Sequence, residues 1–432
     1  MKYFKHIILK KGGVMQKTLK VLDVIYREDL YPRSLTTPER VQDYAENLEM
    51  LPPIEINQQN ILIDGWHRWT AHKKNGVSEI NATVTETSSD AELLEFAIIR
   101  NSVHGLQLSM QDKKDNARKI YHITPNKDRS KKKGELARIL PVTLKTIQRW
   151  LSRIDKDTRE QQKKRVSDLW LACYTQQEIA EAVGVPQQTV QGFIPKKDNC
   201  PISVKFTFSD DFDLPVYNVW KVQNKSNTVS HFGNTEKQWL DNLLYLYTKP
   251  FDIIMDPFAG GGSTIDVCKY RGRRYFVSDR KPIVEREHEI RMHDIVDELP
   301  KPPMWEDVSL VYLDPPYWKQ SEGAYSDSLN DLSNMTLENF NKTLSNLITQ
   351  FAKKLKSGSH IALIIQPTQW RAPKRHYTDH VADMIKAVKL PINMRIQAPY
   401  ESQQANAQMV DWAKENKTLL VLSREIVVWE VV

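Results

Sequence analysis

Cysteine is scarce: Cys173, Cys200 and Cys268 are the only three in 432 residues, and no two form a C-x-x-C pair. That number and spacing argue against a zinc site and against a disulfide framework, and they fit a reducing, cytoplasmic setting. Long apolar runs are also missing. None approaches the roughly 18 residues that a membrane-spanning helix needs, so no membrane partner is expected. The apolar start (Phe4, Ile7, Ile8, Leu9) is broken by Lys5 and His6 and followed at once by Lys10, Lys11, Gly12 and Gly13, which does not read as a signal peptide. Met15 is an alternative start. Internal repeats and low-complexity tracts are absent too.

What is present is a soluble composition, 40% hydrophobic and 27% charged, in a chain long enough for two or three domains. The net charge of +7 is unevenly placed. Residues 111–200 hold 20 Lys+Arg against 11 Asp+Glu, which leaves the rest of the chain at −2. A basic block of this kind suits a polyanion, though a solvated helical face has the same signature.

Pattern divides the chain into an α+β module over residues 18–108, a helical region over 109–195 and an α/β domain over 201–432. In the first, Leu19 to Val24, Pro53 to Ile56 and Ile61 to Asp64 read as strands, and His67 to Asn75 reads as a helix ending at Gly76. In the last, Ile253 to Met255, Tyr275 to Ser278, Leu310 to Leu313 and Ile361 to Ile365 are strands alternating with helices, the mark of a doubly wound sheet. Thr418 to Leu422 and Ile426 to Trp429, joined at Ser423 to Glu425, are expected to form a terminal hairpin.

The α/β domain carries the chemistry. Phe251 to Thr264 reads FDIIMDPFAGGGST: a strand ends in Asp256, and Gly260, Gly261 and Gly262 turn into a helix begun by Ser263 and Thr264. Such a turn brings backbone N–H groups close to a ligand. It lacks the G-x-G-x-x-G dinucleotide spacing, and an ordinary tight turn has the same look. The next strand ends in Asp279, where a carboxylate would meet ribose hydroxyls, with a helix N-cap as the competing role. Leu310 to Leu313 then runs directly into Asp314, Pro315, Pro316 and Tyr317.

AspProPheAlaGlyGlyGly followed by AspProProTyr resembles the amino-methyltransferases that modify adenine N6 or cytosine N4 in DNA. The resemblance covers about residues 231–432. It implies a Rossmann-like S-adenosylmethionine methyltransferase domain. Asp256, Phe258, Gly260 and Gly262 would line the cofactor pocket, Asp279 would hold the ribose, and Asp294 would lie near the adenine. His231 would begin the segment, His231 to Thr248, that closes the methionine end. The cofactor implied is S-adenosylmethionine, with no metal.

The tetrapeptide suits that chemistry. An exocyclic amine is a weak nucleophile because its lone pair is delocalised into the ring. The Asp314 carboxylate and the Pro315 carbonyl can both accept hydrogen bonds from it, aiming the lone pair at a methyl donor. Pro315 and Pro316 stiffen the loop, and Tyr317 offers a face for an extruded base. Trp318 either extends that face or packs in the core. No Pro-Cys pair is available for attack at cytosine C5. Within the family it resembles, Asp rather than Ser at the first position favours adenine N6, with cytosine N4 open. Transfer to RNA or protein, and a ParB-like DNA-binding protein with an inactive methyltransferase fold, are the rival readings.

No block behind Asp314 is large enough to be a target-recognition domain; the loop near Gln366 to His380, with Arg371, Lys374 and Arg375, is too short. Recognition is therefore expected from the helical region. Thr175 to Ile194 reads as a helix-turn-helix: Thr175 and Glu178 form a capping box, Gly184 turns, and Pro186 opens a second helix presenting Gln187, Gln188, Thr189 and Gln191. A plain αα-hairpin is the alternative. A looser copy spans Lys133 to Ile154 and exposes Lys145, Gln148 and Arg149. Double-stranded DNA is the expected partner, and a homodimer is left open. Changing Gln187 and Gln188 together to alanine is expected to lower sequence discrimination more than salt-dependent affinity, and a competition-binding assay with unchanged discrimination would sink this.

Asp64 to Ala71, DGWHRWTA, is similar to the loop-to-helix motif of ParB-like and sulfiredoxin-like domains over about residues 21–108. The likeness implies a nucleotide or phosphate held by Gly65, His67 and Arg68. Arg100 to Gly105 departs from the second nucleotide-binding segment of ParB-like proteins, and no cysteine lies nearby for sulfiredoxin chemistry. Packing of the domain, or contact with DNA phosphates, is the other use of His67 and Arg68.

Overall fold

The computed structural model describes residues 15–33, 38–103, 108–196, 208, 212–213, 215–221, 236–319, 331–369, 377–399 and 407–432. The chain forms two compact units, Met1–Gln161 and Gln162–Val432.

In the first unit, strands β1 (Met15–Lys20), β2 (Ile54–Ile56), β3 (Leu62–Asp64) and β4 (Glu79–Val84) form a sheet ordered β1-β4-β2-β3. Only β2 and β4 are parallel. Helices α1 (Pro38–Ala45), α2 (Trp66–Lys74) and α3 (Asp90–Val103) complete the α+β part. The strand expected over Leu19 to Val24 lies earlier. Val21–Asp23 is a 3-10 turn instead, which buries both Val21 and Val24 where a continued strand would have placed Val24 outward. Helices α4 (Met110–Ile123), α5 (Arg129–Ile139) and the start of α6 (Leu144–Leu171) share a core of Ile120, Leu136, Leu140, Ile147 and Leu151.

The second unit begins within α6 and continues through α7 (Gln176–Val183) and α8 (Gln187–Phe193). After α9 (Lys237–Tyr247) come β5 (Ile253–Asp256), α10 (Ser263–Arg271), β6 (Arg274–Asp279), β7 (Ile290–Met292), β8 (Val308–Leu313), α11 (Leu337–Ala352) and β9 (His360–Ile365). A short pair, β10 (Thr368–Gln369) and β11 (Tyr377–Thr378), precedes α12 (His380–Ala387), β12 (Ile392–Pro399), α13 (Ala407–Glu415) and β13 (Ser423–Glu430).

The main sheet has seven strands in the order β12-β13-β9-β8-β5-β6-β7. From β7 to β9 the strands are parallel, and β13 pairs antiparallel with both β9 and β12. Both faces are covered, which is why β5, β8 and β9 are nearly unbroken apolar runs. Alternate residues serve different cores. Ile254, Tyr275, Leu310 and Tyr312 meet Trp239 and Leu243 of α9 and Ile265 of α10. Met255, Val311, Leu313 and Leu363 meet Phe340, Leu344 and Ile348 of α11.

The expected terminal hairpin is not formed. Residues 418–422 lie outside any strand, and Ser423 to Glu425, read as its turn, pair with Pro399, Ala398 and Gln397 of β12. Long-range ladder partners on both sides outweigh the local turn signal.

Candidate active site

The chain order reverses between β5 and β8: from β5 it runs outward to β6 and β7, then returns to β8 and β9 on the other side. Ligands of doubly wound sheets bind beyond the carboxyl ends of the strands at such a switch point. Both sequence motifs stand there, the glycine turn after β5 and the Asp314 tetrapeptide after β8.

Asp256 organises the turn from inside. It is 2% exposed, and its oxygens accept from the Phe258 N–H at 2.9 Å and the Thr264 hydroxyl at 2.6 Å. Burial pushes its carboxyl up to about 7 against these hydrogen bonds, and the charges of Asp314 and Asp279 add to the rise. Asp279, partly exposed at the end of β6, accepts from the Gly260 N–H at 2.8 Å through Oδ2 and from the Lys281 N–H at 2.9 Å through Oδ1. Each oxygen keeps a further lone pair for a ligand hydroxyl. Asp294, beyond β7, pairs with Arg280 at 3.1 Å. Phe258 packs half-buried against the second core.

Gly262 is required twice over. Its φ is +78°, and a Cβ there would lie 2.9 Å from Arg286 Cδ. Arg286 donates to the Gly262 carbonyl at 3.0 Å and to Asp266 at 2.8 Å, strapping the turn to α10. Sequence alone gives Thr264 only as the start of the helix and does not mark Arg286, whose contact depends on the path of the chain after β6.

At the neighbouring strand end, the Tyr317 hydroxyl donates to Asp314 Oδ1 at 3.0 Å. Pro315 is buried, and Asp314, Pro316 and Tyr317 are partly accessible. Burial pushes the Asp314 carboxyl up to about 6, opposed by the positive charge of Arg424 and by the Tyr317 hydroxyl. Arg424, on β13, lies with its guanidinium carbon 4.8 Å from the Tyr317 ring centre and 5.7 Å from that of Trp239. Trp318 belongs to the core: it is 1% exposed and donates to the Met335 carbonyl at 2.8 Å. His231 lies outside the described residues, as do Arg371, Lys374 and Arg375. Among the described residues, no group of three or more His, Cys, Asp or Glu side chains could hold a metal, and no helix is long and apolar enough to cross a membrane.

Two short helices, α7 and α8, form here with the expected capping box: Thr175 Oγ1 accepts from the Glu178 N–H at 3.3 Å, and Glu178 accepts from the Thr175 N–H at 2.8 Å. Gly184 makes the turn at φ +70°. Ile179 and Val190 join Val166 and Leu169 of α6 in a small core, while Gln187, Gln188 and Gln191 are exposed and Thr189 half-buried. The stretch just before α7, residues 170–174, ties this helix pair to the sheet. Arg274 donates to the Trp170 carbonyl at 3.2 Å, Arg291 to that of Ala172 at 2.9 Å, and Tyr174 to that of His288 at 2.9 Å. Trp170 also meets Phe251 edge-on at 5.1 Å. Arg274, Phe251 and His288 stand at the amino ends of their strands, whereas Asp314 stands at a carboxyl end. A six-residue strand, about 20 Å long, separates them.

In the first unit, Gly65 has φ +103°, and a Cβ there would lie 2.8 Å from Ile54. Arg68 donates to the Pro52 and Pro53 carbonyls at 3.0 and 2.6 Å and to Asp64 at 2.7 Å, so its side chain is engaged in holding the loop. His67 is half-buried, and burial, Arg40 and Arg33 hold its pKa below the usual value. Lys145 and Arg149 are exposed on α6.

A doubly wound sheet closed by an antiparallel β13, with an acidic glycine turn and an Asp-Pro-Pro-Tyr at its switch point, defines a Rossmann-like methyltransferase domain. The chain matches the family model of N6/N4 methyltransferases, described as DNA methylase, over residues 50–286, more than half its length, and it belongs to that family. Asp314 to Tyr317 lie beyond the matched span. Among solved structures, the chain is similar to a methyltransferase dependent on S-adenosylmethionine from Archaeoglobus fulgidus, with 14% identity, 45% of this chain and 94% of that one covered, and a TM-score of 0.27. An rRNA methylase from Streptococcus thermophilus is similar at 11% identity, 46% and 98% coverage and a TM-score of 0.28. The chromosome-partitioning protein ParB from Caulobacter crescentus, complexed to the parS site, is similar at 16% identity, 42% and 87% coverage and a TM-score of 0.23. No curated protein matches the chain.

Proposed function

We propose that this chain transfers a methyl group from S-adenosylmethionine to an exocyclic amino group in duplex DNA, with adenine N6 as the target. The observation that carries the reading is the pairing of Asp314-Pro315-Pro316-Tyr317 with the glycine turn across the switch point of a DNA methylase family member. The turn suits the cofactor in that Asp279 has acceptor capacity left at the strand end. Asp279 would hold the ribose, Asp294 would stand near the adenine, and Phe258 and Gly260 would line the pocket, with Asp256 shaping it from beneath. When bound, S-adenosylmethionine supplies a methyl group already activated on a positive sulfur. Asp314 and the Pro315 carbonyl accept from the two N–H groups of the target amine, which localises its lone pair. Tyr317 stacks on the extruded base, a contact worth ~1–3 kcal/mol. Asp314 is also placed to take up the proton that the methylated nitrogen sheds.

Holding the duplex falls to surfaces of different character. Lys145, Arg149, Arg153, Lys156 and Arg159 recur at helical spacing on α6 and are exposed. This stripe would contact phosphates without reading sequence, while Gln187, Gln188 and Gln191 would face base edges. Changing Lys145, Arg149 and Lys156 to glutamine is expected to reduce the slope of log affinity against log salt by about 2–3, at ~0.9 per lost phosphate contact, with discrimination between sites retained. A slope equal to that of the wild type would refute the stripe.

The decisive experiment is tritiated-methyl transfer to duplex DNA with the modified base identified by mass spectrometry. N6-methyladenine supports the reading in full, and N4-methylcytosine corrects the base. Labelled RNA or protein with unlabelled DNA would overturn it.

A further inference from the structure

We propose that Arg424 is a positioning residue for the methyl transfer, holding the Tyr317 ring with its guanidinium and presenting its positive charge to the Asp314 carboxylate. This rests on the reading of Asp314 as the acceptor of the target amine. Arg424 enters from the start of β13, paired with Ala398 of β12, and β13 also pairs with β9. Because β13 runs antiparallel to β9, its first residues reach the carboxyl end of the sheet, the side on which Asp314 stands. Arg424 therefore arrives from the final strand of the fold, more than 100 residues after the tetrapeptide.

Its contacts join three parts of the site. The guanidinium lies 4.8 Å from the centre of Tyr317, the ring offered to the base, and 5.7 Å from that of Trp239 on α9. Tyr317 in turn donates to Asp314 at 3.0 Å. A cation over a ring face restrains the tilt of that ring, and a ring so held keeps its hydroxyl on Asp314. Among the described residues, the ionisable groups that face Asp314 include Tyr317 on its own loop, Tyr312 on β8, Asp256 on β5 and Arg424 on β13. Of these, Arg424 is the cation. It opposes the burial that raises the carboxyl, and so keeps the acceptor charged at neutral pH.

The test compares the pH dependence of wild type, Arg424→Met and Arg424→Lys. The rate of the wild type should fall as pH drops through about 6, where Asp314 takes up its proton. In Arg424→Met this acid limb should move up by about one to two pH units. Arg424→Lys should return most of the shift. Coincident limbs in wild type and Arg424→Met, or a lysine variant that behaves like the methionine one, would overturn the assignment.

Melting temperature against pH gives a reading free of activity. A carboxyl whose folded pKa lies above its unfolded value weakens the fold most at high pH, and the penalty is relieved as pH falls through the folded value. Without Arg424 that relief should begin at higher pH, and the difference from wild type should vanish in an Asp314→Asn background. A difference that persists there refutes the electrostatic link between the two residues. This comparison stands even where DNA goes unmethylated, an outcome that counts against the proposed function alone.

Discussion

Replacing Asp314 by alanine is expected to lower methyl transfer by about 10²–10³-fold or more while cofactor affinity stays within a few-fold of wild type. Removing one preorganised hydrogen-bonding group from a reacting centre has effects of this size. The cofactor should be largely indifferent, because the turn assigned to it follows β5 and closes on Asp256, Thr264 and Arg286, with Asp314 on a different strand. Asparagine at 314 should retain more activity than alanine, since one acceptor oxygen remains without its charge. Tyr317→Phe, which deletes the 3.0 Å hydrogen bond to Asp314 and keeps the stacking face, should cost less than either. Single-turnover rates and equilibrium cofactor binding separate the two effects. An alanine variant that transfers methyl groups normally would remove Asp314 from the mechanism. One that loses cofactor binding would make it a structural residue.

The largest expected change in stability is at Asp241. Arg271, at the end of α10, has only 2% of its side chain exposed and makes paired hydrogen bonds of 2.7 Å to both Asp241 oxygens from α9. Its guanidinium carbon also lies 4.2 Å from the Phe208 ring centre and 4.9 Å from that of Tyr270. Asp241→Ala would remove a bidentate carboxylate partner from that buried cation, a change that costs about 3–5 kcal/mol when a buried pair is broken. For a unit of this size the melting temperature should fall by on the order of 10 °C. Pairing it with Arg271→Met should recover much of the loss, because an apolar side chain suits the aromatic surroundings. Calorimetry on the two variants checks both statements, and a single variant as stable as wild type would show that the pair contributes nothing net.

Several features of the fold were legible because their causes are local. Apolar runs ending in Asp256, Asp279 and Asp314 announced the central strands, since strands buried on both faces have no polar alternation to hide them. The capping box of Thr175 and Glu178 and the glycine at 184 marked the start and end of α7, because capping is settled within a few residues. The terminal hairpin failed for the converse reason: Ser423 to Glu425 have turn-like composition, yet their backbone groups find ladder partners in β12.

By itself the sequence determined the strands that end in acids, the glycine turn, the tetrapeptide and the capped helix pair around Gly184. Each depends on residues within about one helix or strand of one another, where steric and capping preferences act directly. Tertiary structure alone decided which strand ends become neighbours, and so decided that Asp256 turns inward to brace the loop. It brought Arg424 to Tyr317 across the sheet. It also anchored the chain leading into α7 and α8 at the amino ends of the strands, away from Asp314. Those outcomes follow from the strand order and the direction of β13, which are set by the joint burial of two cores and leave no mark on any short stretch of chain.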